Sequence, residues 1–186
     1  MNVLYPSFPV RRLPTMALIA FLGAVVAGVY GAVHDQISFA ISPEYFTRMK
    51  FRQFAWADVG LPPRAFASEV GFLGTWWVGL VAGWFAARAG LAELPRSDRW
   101  RCTPRCFGIV LAAAAVVGSA GALVGLVEAR SGDLSSWDDV RTLLEVEDVP
   151  GFVVVAYLHG GGYLGAALGL ILAIVYVRRC VTRAAL

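Results

Sequence analysis

The stretch MALIAFLGAVVAGVYGAV, residues 16–33, contains no charged side chain. Three further segments, 70–87, 106–127 and 160–177, are also free of Asp, Glu, Lys and Arg. A helix that crosses a bilayer needs about 20 largely apolar residues, and a helix satisfies its own backbone hydrogen bonds in lipid. The sequence therefore predicts four transmembrane helices, over about 13–33, 69–88, 106–128 and 153–177.

The composition agrees with a membrane protein. Of the 186 residues, 58% are hydrophobic and 16% are charged, whereas soluble domains have about 45–50% apolar and about 25% charged residues. We predict an all-α fold in which residues 1–186 form a single integral membrane domain. The predicted partner of this domain is the lipid bilayer. The net charge of +3 does not indicate a nucleic-acid partner, because the excess arginines lie where they would anchor the spans.

The distribution of charge predicts the orientation. The two ends of the chain and the connection 89–105, with Arg88 beside it, carry ten arginines and two acidic residues, whereas the connections 34–68 and 129–152, with Glu69 and Glu128 beside them, carry six basic and eleven acidic residues. By the positive-inside rule, both termini and 89–105 face the cytoplasm, and 34–68 and 129–152 are outer loops. We expect the inner membrane of a bacterium. Cys102, Cys106 and Cys180 then lie on the cytoplasmic side, where thiols stay reduced.

Glycine patterns predict tight helix packing and two similar hairpins. Glycines four residues apart let helix backbones approach closely in lipid; this spacing occurs at Gly79, Gly83, Gly121, Gly125, Gly161, Gly165 and Gly169. The second and fourth spans open with GFLG (71–74) and GYLG (162–165), and the first and third end with GAVH (31–34) and GLVE (125–128). These matches predict two copies of one helical hairpin, and the alternative is chance similarity between glycine-rich helices.

Ionisable residues recur at one predicted depth. At about 1.5 Å per residue, one such residue in each span lies about 30 Å from the cytoplasmic boundary. With the adjacent aspartate, the set is His34, Asp35, Glu69, Glu128 and His159. Imidazole and carboxylate groups suit a divalent metal or proton transfer. The alternative is polar side chains that cap helix ends and reach the membrane surface.

The outer loops are predicted to contain interfacial helices. Ser42, Pro43 and Glu44 have the residue types of an N-cap, a first helical position and an acidic first turn, so a helix is expected over 43–54. In the second loop, Trp137, Val140 and Leu144 share one face of a short helix that follows Ser135. The two helices would form a lid over the outer mouth of the bundle.

A resemblance follows from HDQISFAISPEYFTRMKFRQF (34–54), GFLGTWW (71–77) and HGGGYLG (159–165). These motifs resemble a family of small bacterial inner-membrane proteins of about four spans and unknown function. The resemblance singles out residues of the first and last spans and of the outer lid; they are His34, Asp35, Gln36, Ser42, Pro43, Glu44, Tyr45, His159, Tyr163 and Gly165. It implies that the first and fourth helices meet at the outer face, and it implies no reaction.

Two hypotheses for function follow. No charged residue lies at the centre of a span, which disfavours active transport, and no HExxH or GxSxG motif supports proteolysis. The first hypothesis is a non-enzymatic membrane component that binds lipid, partner subunits or a second copy of itself. The alternative is a metal- or proton-dependent site, enzymatic or permeation-related, at the outer mouth of the bundle.

Overall fold

A computed structural model describes residues 9–184, and this part of the chain is helical and contains no strand. Four long helices are joined by shorter helical segments. The helices are α1 (Leu13–Ile41), α2 (Phe51–Gln53), α3 (Pro63–Arg88), α4 (Arg96–Ser131), α5 (Asp138–Leu144) and α6 (Val149–Ala184). Helices α1, α3, α4 and α6 are long and apolar enough to cross a membrane. The predicted all-α, four-helix membrane fold is confirmed.

The four long helices form two hairpins. Helix α1 packs along α3 and α4 packs along α6, while contacts between the two pairs are sparse. Large apolar side chains remain exposed on the outside, such as Phe21 at 61% and Val127 at 71%, and buried positions are mostly small. Because lipid provides no hydrophobic force between helices, close packing of small residues holds such hairpins together. The exposed apolar surface is what a bilayer would cover.

All seven glycines that the spacing singled out lie at these helix interfaces. Gly79 and Gly83 of α3 face the backbone of α1, where a Cβ on Gly83 would lie 2.7 Å from the carbonyl oxygen of Ile19. The others pack between α4 and α6, where Gly121 and Gly125 of α4 and Gly161, Gly165 and Gly169 of α6 meet the backbone or side chains of the opposite helix.

The two hairpins differ in register. In the first, Gly31 of GAVH faces Gly71 of GFLG. The matching motifs of the second hairpin would place Gly125 opposite Gly162, but a Cβ on Gly118 would lie 3.4 Å from the Gly162 backbone, and Gly125 packs against Val154 and Tyr157. Gly118 precedes Gly125 by two helical turns. The hairpins therefore share an architecture without sharing the contacts that their motifs would predict.

The helices extend beyond the predicted spans. Helix α1 continues past His34 to Ile41, and α4 begins at Arg96, inside the predicted cytoplasmic loop. Charged residues mark the ends of an apolar span, but the helix itself can continue beyond the span until a residue terminates it. Here α1 ends before Ser42 and Pro43, and α4 ends at Gly132 in the left-handed conformation (φ 80°), which glycine adopts without strain.

Two segments cover the end of the bundle that carries His34 and His159, which we call the histidine end. The predicted helix over 43–54 occurs as a π-helical segment, Tyr45–Lys50, that continues into α2. Tyr45 and Phe46 are buried against Phe152 and Val153 of α6, so this segment packs on the bundle. The Ser42 side chain does not cap it: its Oγ is buried and forms no hydrogen bond within the described chain.

The second segment is α5 with the preceding Trp137. Trp137, Val140 and Leu144, which the sequence predicted on one face of a short helix, all pack against the same cluster. The two segments also meet through polar groups. Glu44 Oε2 accepts hydrogen bonds from the backbone N–H groups of Glu147 and Asp148, both at 2.8 Å. The predicted lid is therefore present as two segments that bond to each other.

Candidate functional site

Three side chains from α1 and α6 converge at the histidine end. His34 and Asp35 lie on α1 and His159 lies on α6. Asp35 Oδ1 is 3.2 Å from His34 Nδ1 and 3.6 Å from His159 Nε2. The possible ligand atoms of the three residues all lie within 4.8 Å of one another. We call this group the His–Asp–His cluster.

Ser38 completes the cluster one helical turn after His34. Its Oγ lies 3.2 Å from His159 Nε2 and 3.4 Å from His34 Nδ1, and it donates to the His34 carbonyl oxygen at 3.1 Å. Residues four apart on a helix share a face, which places this hydroxyl beside both imidazoles. The sequence analysis missed Ser38, although its spacing from His34 was the available signal.

The cluster is largely removed from solvent. The side chains of Asp35, His159 and His34 are 6%, 11% and 18% exposed. The two imidazole rings lie 5.0 Å apart between centroids, and the rings of Tyr45 and Tyr30 lie 4.9 Å from His159 and 5.7 Å from His34. Because a buried charge is costly without compensation, Asp35 needs the imidazoles, a cation or a proton beside it.

Tyr45 belongs to the π-helical segment, a geometry that is rare and frequent at functional sites. Burial raises the pKa of its phenol, so that Tyr45 stays neutral. Burial likewise lowers the pKa of Lys50 in the same segment, and the negative charge of Asp35 opposes this effect. Lys50 also lines the same cavity as His34, Asp35 and His159, so an amine group approaches the cluster from the lid.

A cavity runs from the cluster into the bundle between the two hairpins. The cavity volume is about 80 Å³, and the space around it is partly open to the surroundings. Polar groups line one end, namely His34, Asp35, Lys50 and His159, and small or apolar residues of all four long helices line the rest. The residues along α3 run from Val70 to Gly79, which spans about 14 Å at the rise of an α-helix.

Tyr163 lies beside this cavity and links the hairpins. Its hydroxyl donates to the carbonyl oxygen of Gly74 on α3 at 3.1 Å. Gln36, by contrast, lies on another face of α1, where its Nε2 donates to Ser68 Oγ at 2.8 Å and to the Arg64 carbonyl oxygen at 2.7 Å. Gln36 therefore joins α1 to α3 outside the cluster.

The two predicted glutamates of the set do not join the cluster. Glu128 Oε1 accepts hydrogen bonds from Trp137 Nε1 at 2.8 Å and from Ser136 Oγ at 3.3 Å, so it connects α4 to the segment before α5. One carboxylate oxygen of Glu69 is buried and has no hydrogen-bond partner among residues 9–184. The converging group that the structure describes contains the two histidines and Asp35, and neither glutamate.

Chemically, the cluster can serve three purposes. Its imidazoles and carboxylate can bind a divalent cation, pass a proton between the two rings, or hydrogen-bond the polar end of a molecule whose apolar part lies in the cavity. The geometry supports all three, because the ring nitrogens and Asp35 Oδ1 are close together and line the cavity.

Comparisons with family models, curated proteins and solved structures give no match for this chain. The resemblance to small bacterial inner-membrane proteins stays a prediction, and the functional argument depends on the geometry of the site.

Proposed function

We propose that this multi-pass membrane protein is a non-enzymatic component that binds a single-chain amphiphile, such as a fatty acid or a lysolipid, between its two hairpins. The observation that carries the proposal is the shape and polarity of the cavity. Its apolar walls match an acyl chain, and its polar end presents imidazole, carboxylate and amine groups to a head group. Ligand pockets commonly combine apolar walls with a few converging polar groups.

The packing of the helices supports this proposal. Each hairpin is held together along its length by small residues, whereas the two hairpins contact each other sparsely. A chain inserted between them fills space without breaking the interfaces of either hairpin. The lid segment contributes Lys50 and Phe54 to the cavity wall, so it would lie over the head group of a bound amphiphile.

The proposed membrane is the inner membrane of a bacterium. The termini and the connection 89–105, which we call the arginine-rich end, would lie in the cytoplasm, and the histidine end would lie outside. The uneven distribution of arginines supports this orientation. The amphiphile would then be held near the outer leaflet. Partner subunits or a second copy of the chain would bind through the remaining exposed apolar faces.

Binding of a fluorescent long-chain fatty acid to the detergent-purified protein tests the proposal. Two glycines of α6 offer a matched pair, because a Cβ added at Gly162 or at Gly160 meets no atom within 4 Å, and only Gly162 lines the cavity. Gly162→Leu should weaken binding at least about tenfold, which corresponds to about 1.4 kcal/mol. Gly160→Leu should leave binding unchanged. Equal affinity of both variants, or no binding by the native chain, would refute the proposal.

A further inference from the structure

The atoms of the His–Asp–His cluster are spaced as ligands of one metal ion. Zinc lies about 2.0–2.1 Å from imidazole nitrogen and about 2.0–2.2 Å from carboxylate oxygen, so tetrahedral ligand atoms lie about 3.4 Å apart. The distances from Asp35 Oδ1 to His34 Nδ1 and to His159 Nε2 are 3.2 Å and 3.6 Å. Possible ligand atoms of the two histidines also lie within 4.8 Å of each other, so small rotations of the side chains would bring them to the same spacing.

The chemistry of the donors also fits a metal of borderline softness. Two imidazoles and one carboxylate are ligands that divalent transition metals such as zinc accept, and they leave at least one coordination position open. A metal ion would neutralise the buried carboxylate of Asp35, beside which the structure places the two imidazoles and the amine of Lys50.

The residues around the three possible ligands are placed to hold them in position. Ser38 Oγ is close to both imidazole nitrogens and can support a ring or approach an ion. Tyr45 and Phe46 pack on the His159 ring and restrict its orientation, as outer residues of metal sites do. The three possible ligands line the cavity, so an open position would face the space that an amphiphile head group or a water molecule would occupy.

We propose that His34 Nδ1, Asp35 Oδ1 and His159 Nε2 bind one divalent transition metal ion, of the class represented by Zn²⁺, at the polar end of the cavity. This proposal does not depend on amphiphile binding, because metal binding is measured without that ligand. The competing explanation is a hydrogen-bonded network in which Asp35 and Ser38 hold the two imidazoles.

The test measures Zn²⁺ on the full-length protein, purified in detergent with an affinity tag that contains no histidine. After treatment with a chelator and equilibration with Zn²⁺, we expect about one zinc ion per chain by elemental analysis. Loss of an outer hydrogen bond can weaken metal binding by up to about 100-fold. Asp35→Asn and His159→Gln should each weaken Zn²⁺ binding by more than that. Glu69→Gln and Glu128→Gln are matched controls from the same predicted depth, and they should bind Zn²⁺ like the native chain.

X-ray absorption spectroscopy of the zinc-loaded native chain identifies the zinc ligands directly. This measurement does not depend on whether a variant folds. Two imidazoles and an oxygen ligand, with bonds at about 2.0–2.2 Å, are expected. A native chain that binds no Zn²⁺ would overturn the proposal in favour of the hydrogen-bonded network. Zinc retained by both folded ligand variants, or a zinc spectrum dominated by sulfur, would overturn it as well, because the ion would then lie elsewhere, for instance at the cysteines.

Discussion

Gly31 of α1 and Gly71 of α3 lie face to face, and a Cβ added to either would overlap the carbonyl oxygen of the other. This contact is next to the cluster, because a Cβ on Gly71 would also lie 3.0 Å from Cβ of Asp35. The close approach of the two backbones therefore sets both the packing of the first hairpin and the position of Asp35.

Gly31→Ala should destabilise the protein by about 1–3 kcal/mol, because overpacking an interface forces backbone shifts. The measurement is the free energy of unfolding in mixed detergent micelles. Gly160→Ala is the control, since open space surrounds that position; it should be neutral or stabilising by up to about 1 kcal/mol, as expected for Gly→Ala in a helix. Equal destabilisation by both substitutions would contradict the face-to-face packing.

The contrast between helix packing and the cluster shows what the sequence can predict. Four spans and their depths follow from hydropathy and the rise per residue, so the sequence placed His34 and His159 at one level. It did not determine which way each side chain points around its helix axis, because packing between helices sets that rotation. Glu69 and Glu128 were therefore grouped with the histidines, although they face other neighbours.

The same reason explains Ser38 and Lys50. Ser38 could have been found from its spacing of four residues after His34, but only if α1 was known to continue past the predicted span. The position of Lys50 over the cavity depends on the fold of the lid, for which no periodic pattern exists. A local pattern thus predicts an element, whereas the neighbours of that element depend on the whole bundle.

Glu44→Ala should destabilise the lid. The Glu44 carboxylate accepts two backbone N–H groups directly before α6, where the positive end of the helix dipole favours negative charge. Loss of such a cap costs about 1–2 kcal/mol, and amide exchange of residues 145–150 should become faster. Glu145→Ala is the control: Glu145 is 73% exposed and its contact to Arg48 is 3.4 Å long, so a change near zero is expected. An unchanged exchange rate in Glu44→Ala would show that the cap is unimportant.

Mild oxidation should link Cys102 of α4 to Cys180 of α6. Their sulfur atoms lie 3.2 Å apart, and a disulfide requires about 2.05 Å, so a small movement is enough. Cleavage of the chain between the two helices, followed by non-reducing electrophoresis, detects the link. Cys180→Ser should abolish it, and Cys106→Ser should retain it because Cys106 Sγ points to the Ala173 carbonyl oxygen, 3.8 Å away. A link between two chains instead of within one would contradict the pairing of α4 with α6.

The orientation prediction can be tested by fusing reporters to the connections. Alkaline phosphatase is active only outside the cytoplasm, so a fusion after Gly132 should be active and a fusion after Gly90 inactive. Ten arginines and two acidic residues lie at the arginine-rich end, and six basic and eleven acidic residues lie at the histidine end. Since positively charged connections are retained in the cytoplasm, a green fluorescent protein at the same two sites should give the reciprocal result. The reverse pattern would place the His–Asp–His cluster on the cytoplasmic side, and the bound amphiphile would then belong to the inner leaflet.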